Sequence, residues 1–251
     1  MSKERTQRLD KVLANLGYGS RKEIKQFVRQ GRITVNEEAA TRPEQPVCPE
    51  QDELCVDGEV VRYRSTVYFM LHKPQGYLSA TEDTRQPVVT ELLSPEDGVF
   101  DVFPVGRLDK DTEGLLLLTN DGVLAHRLLS PKWKVEKRYQ ATVEGVVTAA
   151  DAAAFAEGVT LDGGYKTQPA KLEIMSSGET SQIFVTITEG KFHQVKRMFE
   201  AVGKKVVYLK RLTMGPLSLD EALALGEYRE LTAKEKQQLF AAVRLSGETK
   251  Q

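Results

Sequence analysis

Stretch 106–122 of the chain reads GRLDKDTEGLLLLTNDG and sets four acidic residues, Asp109, Asp111, Glu113 and Asp121, around the apolar run 115–118. Carboxylates so spaced can ligate a hard cation, attack or deprotonate a reacting group, or simply cover a solvated turn. The leucines weigh on that choice, because a short apolar run between turn signals marks a strand covered on both faces. The loop ahead of it therefore hangs acids at the edge of a core, where desolvation perturbs an ionisable group. Calcium fits poorly. Asp109, Asp111, Glu113 and Gly114 begin like an EF-hand loop, but the twelfth position is Asn120 where a bidentate glutamate is needed, and the leucines would fall inside the loop. Paired-carboxylate chemistry at an anomeric carbon and a solvated acidic turn both stay open at this level.

The elements that must hold this loop can be read around it. Asn120-Asp121-Gly122 is turn chemistry, and Asp121 or Asn120 suits the cap of a helix carrying Leu124, Leu128 and Leu129. Upstream, 67–71 is a strand and HKPQGY at 72–77 a turn set by Pro74 and Gly76. Downstream, 138–143 reads as a strand, 149–157 as an alanine-rich helix after Thr148, and Ile183, Val185 and Ile187 alternate as in a half-buried strand. Residues 191–202 form a helix with Val195, Met198, Phe199 and Val202 on one face, and 206–212 return as a strand. Thr232 and Glu235 make a capping box that opens a final helix. Strands in pairs and runs, rather than in strict alternation with helices, predict an α+β fold with a mixed, mainly antiparallel sheet flanked by helices.

The N-terminal part has a different character. Ser20 and Glu23 form another capping box ahead of Ile24, Phe27 and Val28, and Gly31 ends that helix. On it Arg21, Lys25 and Arg29 recur every fourth residue on a separate face. A shorter helix with Leu9, Val12, Leu13 and Leu16 precedes it, and short strands follow at 32–36 and 54–58. The pattern breaks near 61–65. The expected division is a small basic domain at 1–61, a linker at 62–66, a second domain at 67–243 and a flexible tail at 244–251.

Composition narrows the class. The chain has 251 residues, 40% hydrophobic and 28% charged, as in an ordinary soluble globular protein. No run approaches the roughly 18 apolar residues of a membrane span, and the start lacks the apolar centre of a signal peptide, so a cytoplasmic location is expected. Cys48 and Cys55 suggest neither a disulfide framework nor a zinc knuckle, His72, His126 and His193 show no ligand spacing, and no phosphate-binding glycine motif occurs. The net charge of −1 hides an uneven distribution. Residues 1–36 carry nine Lys and Arg against three acids, 37–60 carry one against eight, and 191–211 carry seven against one. Two basic regions on a near-neutral chain fit a polyanion held across two surfaces.

Two resemblances sharpen these expectations. RLDKVLA, SRKE and GRITVN, within roughly residues 8–62, resemble the small RNA-binding domain named after ribosomal small-subunit protein S-four. That resemblance implies that Arg21, Lys22, Lys25 and Arg29 meet RNA phosphates, contacts that position a protein rather than specify bases. Stretch 106–122, with FMLHKPQG at 69–76, EKRY at 136–139 and EGKFHQVKRMF at 189–199, resembles the RsuA family of ribosomal RNA pseudouridine synthases. The match, continued by PLSL at 216–219 and GEYR at 226–229, runs over nearly the whole chain.

What this second resemblance implies is specific. Asp109 matches the essential aspartate, which attacks the nucleoside or abstracts a proton from its sugar so that the N1 glycosidic bond breaks and the uracil rejoins through C5. Tyr139 matches the tyrosine that stacks on the base, and Lys196 matches the cation that pairs with the aspartate. Helical geometry at about 100° per residue agrees, putting Lys196 beside the Val195/Phe199 stripe and Arg197 roughly opposite, toward solvent or phosphate. The target uridine must be extruded into a pocket with an aromatic wall. Tyr139 supplies that wall, with Tyr77 and Phe192 as weaker candidates, and Arg107 holds the flipped nucleotide's phosphate or the space it leaves. His193, Gln194 and Arg197 are expected to face RNA. Trp133, among Lys132, Lys134 and Lys137, suits an RNA-contact loop or a core edge equally. An isomerisation needs no metal, nucleotide or redox cofactor. Within the family, lysine at 196 and Lys73-Pro74-Gln75-Gly76 most resemble the members acting on 16S rRNA, as a monomer and on rRNA or a small-subunit assembly particle. The alternatives are action on 23S rRNA, or a non-catalytic RNA-binding assembly factor that keeps the fold.

Overall fold

The computed structural model describes residues 6–61, 63 and 66–245. By contacts the chain falls into two units, Met1–Val67 with Leu93–Asp101, and Tyr68–Leu92 with Val102–Gln251. The expected linker at 62–66 and tail at 244–251 lie largely outside the described residues. Segment 93–101, assigned from the sequence to the second domain, groups with the first unit.

In the first unit the helices Leu9–Asn15 and Arg21–Arg29 pack on a four-stranded antiparallel sheet whose inner strands are Ile33–Val35 and Leu54–Val56. The Ser20 capping box forms as the sequence predicts, with Ser20 Oγ accepting from the Glu23 amide and Glu23 Oε2 accepting from the Ser20 amide at 2.7 Å. Ile24 and Val28 are buried with Leu9, Leu13 and Ile33. Arg21, Lys22, Lys25 and Arg29 are exposed.

The second unit is built on a nine-stranded sheet. Its main path runs Lys171–Ser176, Thr180–Ile187, Lys137–Glu144, Lys205–Met214, Glu113–Thr119, Tyr68–Lys73 and Tyr228–Glu230. Neighbours are antiparallel except Lys205–Met214 beside Glu113–Thr119, so the sheet is mixed and mainly antiparallel. Leu115, Leu116, Leu117 and Leu118 are all fully buried, as a strand covered on both faces requires. On one side Leu115 and Leu117 pack with Leu124 and Leu128 of the helix Gly122–Leu129 and Leu239 of the helix Ala233–Ala242. Asp121 is the cap of the first of these, accepting from the amides of Val123 and Leu124 while Tyr68 donates its hydroxyl to the other carboxylate oxygen at 2.9 Å. Burial, then that carboxylate, pushes the Tyr68 phenol up.

The helix expected over 191–202 is shorter, Gln194–Ala201. His193 takes a left-handed backbone at φ 48° and stops the helix from extending further back. The strand Lys171–Ser176 was not evident from the sequence. Among the described residues, no helix is long and apolar enough to cross a membrane.

Candidate active site

The acidic loop is fixed from beneath by a buried lysine. Lys73 ends the strand Tyr68–Lys73 with no solvent exposure, and its Nζ donates to the carbonyls of Pro74 at 2.9 Å, Asp109 at 3.1 Å and Thr112 at 3.0 Å. Burial lowers this ammonium to about 8, against the upward pull of Asp109, Asp111 and Glu113. The loop then enters its strand through Gly114, at φ 110° and opposite Arg211 in the parallel pair, where a Cβ would collide with the Arg211 backbone. Glycine is required there by space as well as by conformation. The sequence reading uses Lys73 as part of a turn and of a family motif, not as the support of the acidic loop. Its signal is a lysine closing a strand that is mostly apolar, where a buried amine must find oxygen partners.

Above this cage the side chains converge on a cleft of about 440 Å³. The Asp109 carboxylate, 24% exposed, has Lys196 Nζ 3.2 Å from Oδ2 and His193 Nε2 3.6 Å from Oδ1. Lys196 also donates to Asp111 Oδ1 at 2.6 Å, so one ammonium serves two carboxylates, a sharing the sequence did not reveal. Burial disfavours the Lys196 charge, yet the hydrogen bond to Asp111 and the charge of Asp109 outweigh it and raise its pKa. Burial likewise pushes the Asp111 carboxyl up, and Lys196 more than reverses it. Tyr139 is buried on the strand Lys137–Glu144 and forms a wall of the cleft, while Arg107, His193 and Phe192 also line it. Phe192 is 69% exposed and stacks on the His193 ring at 3.7 Å, so it is an open aromatic face at the mouth. Tyr77 does not line the cleft.

Two expected RNA-facing side chains have other occupations. Gln194 is buried, its Oε1 accepting from the Lys191 amide at 2.8 Å and its Nε2 donating to Glu189 at 2.6 Å; it shapes the loop ahead of the helix. Arg197 does point away from Lys196's partners, but it is bound to Asp162 through Nε at 2.6 Å and to the Asp162 carbonyl at 2.8 Å. Trp133 is partly buried against the core, the second of its two readings, with Arg127 and Lys132 over its ring. His72 is buried, with Nδ1 2.7 Å from the Leu223 carbonyl oxygen. Arg21, Lys22, Lys25 and Arg29 belong to the other unit.

A carboxylate paired with an ammonium, at the rim of a partly apolar cavity with an aromatic wall, can attack an electron-poor carbon or take a proton from one. Comparison with known proteins gives the family. Residues 67–201 match the model of the RNA pseudouridylate synthase family, and residues 7–54 that of the S4 domain. The chain is 57% identical over 230 residues to the uncharacterized RNA pseudouridine synthase YtzG of Bacillus subtilis, covering 91% of this chain and 96% of that one. It is 41% identical to ribosomal small subunit pseudouridine synthase A of Escherichia coli (91% and 97% covered) and 39% identical to ribosomal large subunit pseudouridine synthase B of Bacillus subtilis (94% and 96%). A crystal structure of a pseudouridylate synthase superposes with a TM-score of 0.65 at 39% identity, covering 93% of this chain and 99% of that one. With an N-terminal S4 domain joined to this catalytic fold, the chain belongs to the RNA pseudouridylate synthase family, in its RsuA branch, and is an RNA-binding isomerase.

Proposed function

We propose that this isomerase converts one uridine of 16S rRNA to pseudouridine, with Asp109 as the reacting carboxylate. The observation that carries the reading is that Asp109 and Tyr139, from a loop and a strand, line one cleft, with Lys196 of the helix Gln194–Ala201 3.2 Å from the Asp109 carboxylate. Extruding the uridine costs a few kcal/mol, and stacking on Tyr139 with Phe192 at the mouth offsets part of it. Asp109 then either bonds to C1′ as the N1–C1′ bond breaks or removes the C2′ proton, and in both cases the bond pair leaves with N1. The ring turns, C5 bonds to C1′ as Asp109 leaves that carbon or returns the proton to C2′, C5 gives up its proton and N1 takes one up, so composition is unchanged. Lys196 holds the carboxylate in place before attack. Arg107 holds the phosphate of the flipped nucleotide.

The choice of 16S rests on lysine at 196 and on the 41% identity to a small-subunit enzyme. The 39% identity to a large-subunit enzyme supports 23S rRNA as the second reading. Carbodiimide labelling and primer extension on rRNA from cells lacking this chain separates them. Loss of one stop in 16S is the expected result, loss of a 23S stop favours the second reading, and an unchanged map removes rRNA as the substrate.

A further inference from the structure

The side of the cleft beneath Tyr139 holds cations that the mechanism so far leaves idle. Lys137 and Tyr139 alternate on one strand and face the same side, about 7 Å apart; both line the cleft and both are buried. Arg211 lies opposite Tyr139 across the sheet, and so on that side too. Lys137 Nζ gives one hydrogen to the Val135 carbonyl at 2.8 Å, and the charge that acts on it is the like charge of Arg211. Arg211 is 1% exposed, donates Nε to the Leu115 carbonyl at 2.8 Å, and leaves Nη2 without a partner among the described residues. Buried cations with no counter-ion are costly. Burial and Arg211 together lower the Lys137 ammonium to about 8. Such charge held against a cavity is pre-organised for an anion present only during part of the reaction cycle.

Resting on the reading that Asp109 drives uridine isomerisation, we propose that Lys137, backed by Arg211, is a further catalytic residue that stabilises the uracil anion between its release and its reattachment. When N1–C1′ breaks, the electron pair stays on N1 and the charge spreads over N1, O2 and O4. The C1′ valence is met by Asp109 or by loss of the C2′ proton, and the anion persists until C5 donates its pair to C1′, when Asp109 leaves that carbon or gives the proton back to C2′. Throughout that interval Lys137 Nζ has N–H groups beyond the one given to Val135, and these donate to a ring carbonyl oxygen. No other group in the mechanism does this: Lys196 answers to Asp109 and Asp111, and Lys73 to backbone carbonyls.

The test compares single-turnover breakage of the N1 bond in a uridine RNA and in its 5-fluorouridine counterpart, whose ring carries negative charge more readily. Lys137→Met is expected to lose roughly 100-fold on uridine, distinctly less on 5-fluorouridine, and to bind RNA within about twofold of the parent. Lys137→Gln, should the methionine variant fail to fold, is expected to shift the ratio between the two substrates in the same direction, whereas Lys137→Arg leaves that ratio unchanged. Equal losses on the two substrates, or a Lys137→Met rate on uridine within about twofold of the parent, overturn the proposal. Asp109→Asn run alongside keeps the two ideas apart. Turnover by it sinks the underlying reading, while an inactive Asp109→Asn with an unshifted Lys137 ratio sinks this inference alone.

Discussion

Lys196 divides its charge between Asp109, 24% exposed, and Asp111, 68% exposed, and that difference in exposure ranks the two acids. An ion pair on the open side contributes up to about 1 kcal/mol, whereas the charge on the cleft side is the one that reacts. Asp111→Asn should therefore retain turnover within about fivefold. Lys196→Met should cost roughly 100-fold or more in single-turnover rate while RNA affinity changes little. Asp109→Asn, nearly isosteric, should fold, bind RNA and lose roughly 1,000-fold or more; appreciable pseudouridine formation by it, measured on the same RNA, would remove Asp109 from the mechanism. Asp109 and Tyr139 are singled out by the resemblance of their motifs to a family, and for Lys196 helix phase bears on the same residue independently. The sequence could not make the role of Lys73 legible, because four backbone carbonyls converging on one amine leave no side-chain pattern. Gln194 is legible only in part: it lines the cleft, but a polar residue in a basic run does not reveal that its buried amide closes the loop between Glu189 and Lys191.

At the scale of elements, caps were the most readable feature. The boxes at Ser20 and Thr232 and the Asp121 cap form as their residue types predict, because each pairs a side chain with amides only two or three positions away. The strand Lys171–Ser176 was not readable. It lies at the end of the sheet path with one strand beside it, and Met175 is 63% exposed, so burial leaves no clean alternation along it. The Thr232 cap carries a pH prediction. Glu235 also receives Arg229 at 2.8 Å, and that hydrogen bond first, against burial, then the Thr232 cap, lowers its carboxyl to about 2. The unfolded carboxyl titrates near 4.5, so its contribution is complete above that pH and is lost as pH falls from there toward 2. Trp133 is the chain's single tryptophan and packs on the same core as Leu239 and Phe240 of this helix, so its fluorescence follows unfolding of the unit. The urea midpoint of Glu235→Gln should lie below that of the parent at pH 6, with the gap mostly closed only at about pH 2. A gap that persists there would place the contribution in shape rather than charge.

For the whole molecule, the count of charges in the sequence overstated one basic region and not the other. In 191–211, Lys196 is bound to Asp109 and Asp111, Arg197 to Asp162 and Lys204 to Asp151, and Arg211 is buried, so most of its seven cations are occupied within the unit. Arg21, Lys22, Lys25 and Arg29 by contrast stand exposed on the helix Arg21–Arg29 of the S4 unit, and none is seen in an ion pair among the described residues. A net charge of −1 is thus compatible with an RNA partner, because the charge that meets phosphate is local. Each phosphate neutralised releases counter-ions, and log affinity falls with log salt by about 0.7 to 0.9 per contact. Replacing Arg21, Lys22, Lys25 and Arg29 by alanine should lower the slope by roughly 3 and weaken binding uniformly across RNA sequences, since such contacts carry position rather than base identity. Single-turnover rate at saturating RNA should stay within about twofold, because the reacting groups are untouched. Arg197→Ala should shift the slope by less than about 0.5, its guanidinium being held by Asp162. If the fourfold variant keeps the parent's salt slope, the helix Arg21–Arg29 does not face the phosphates, and the exposed Lys205 and half-buried Lys210 of the second unit become the next cations to remove.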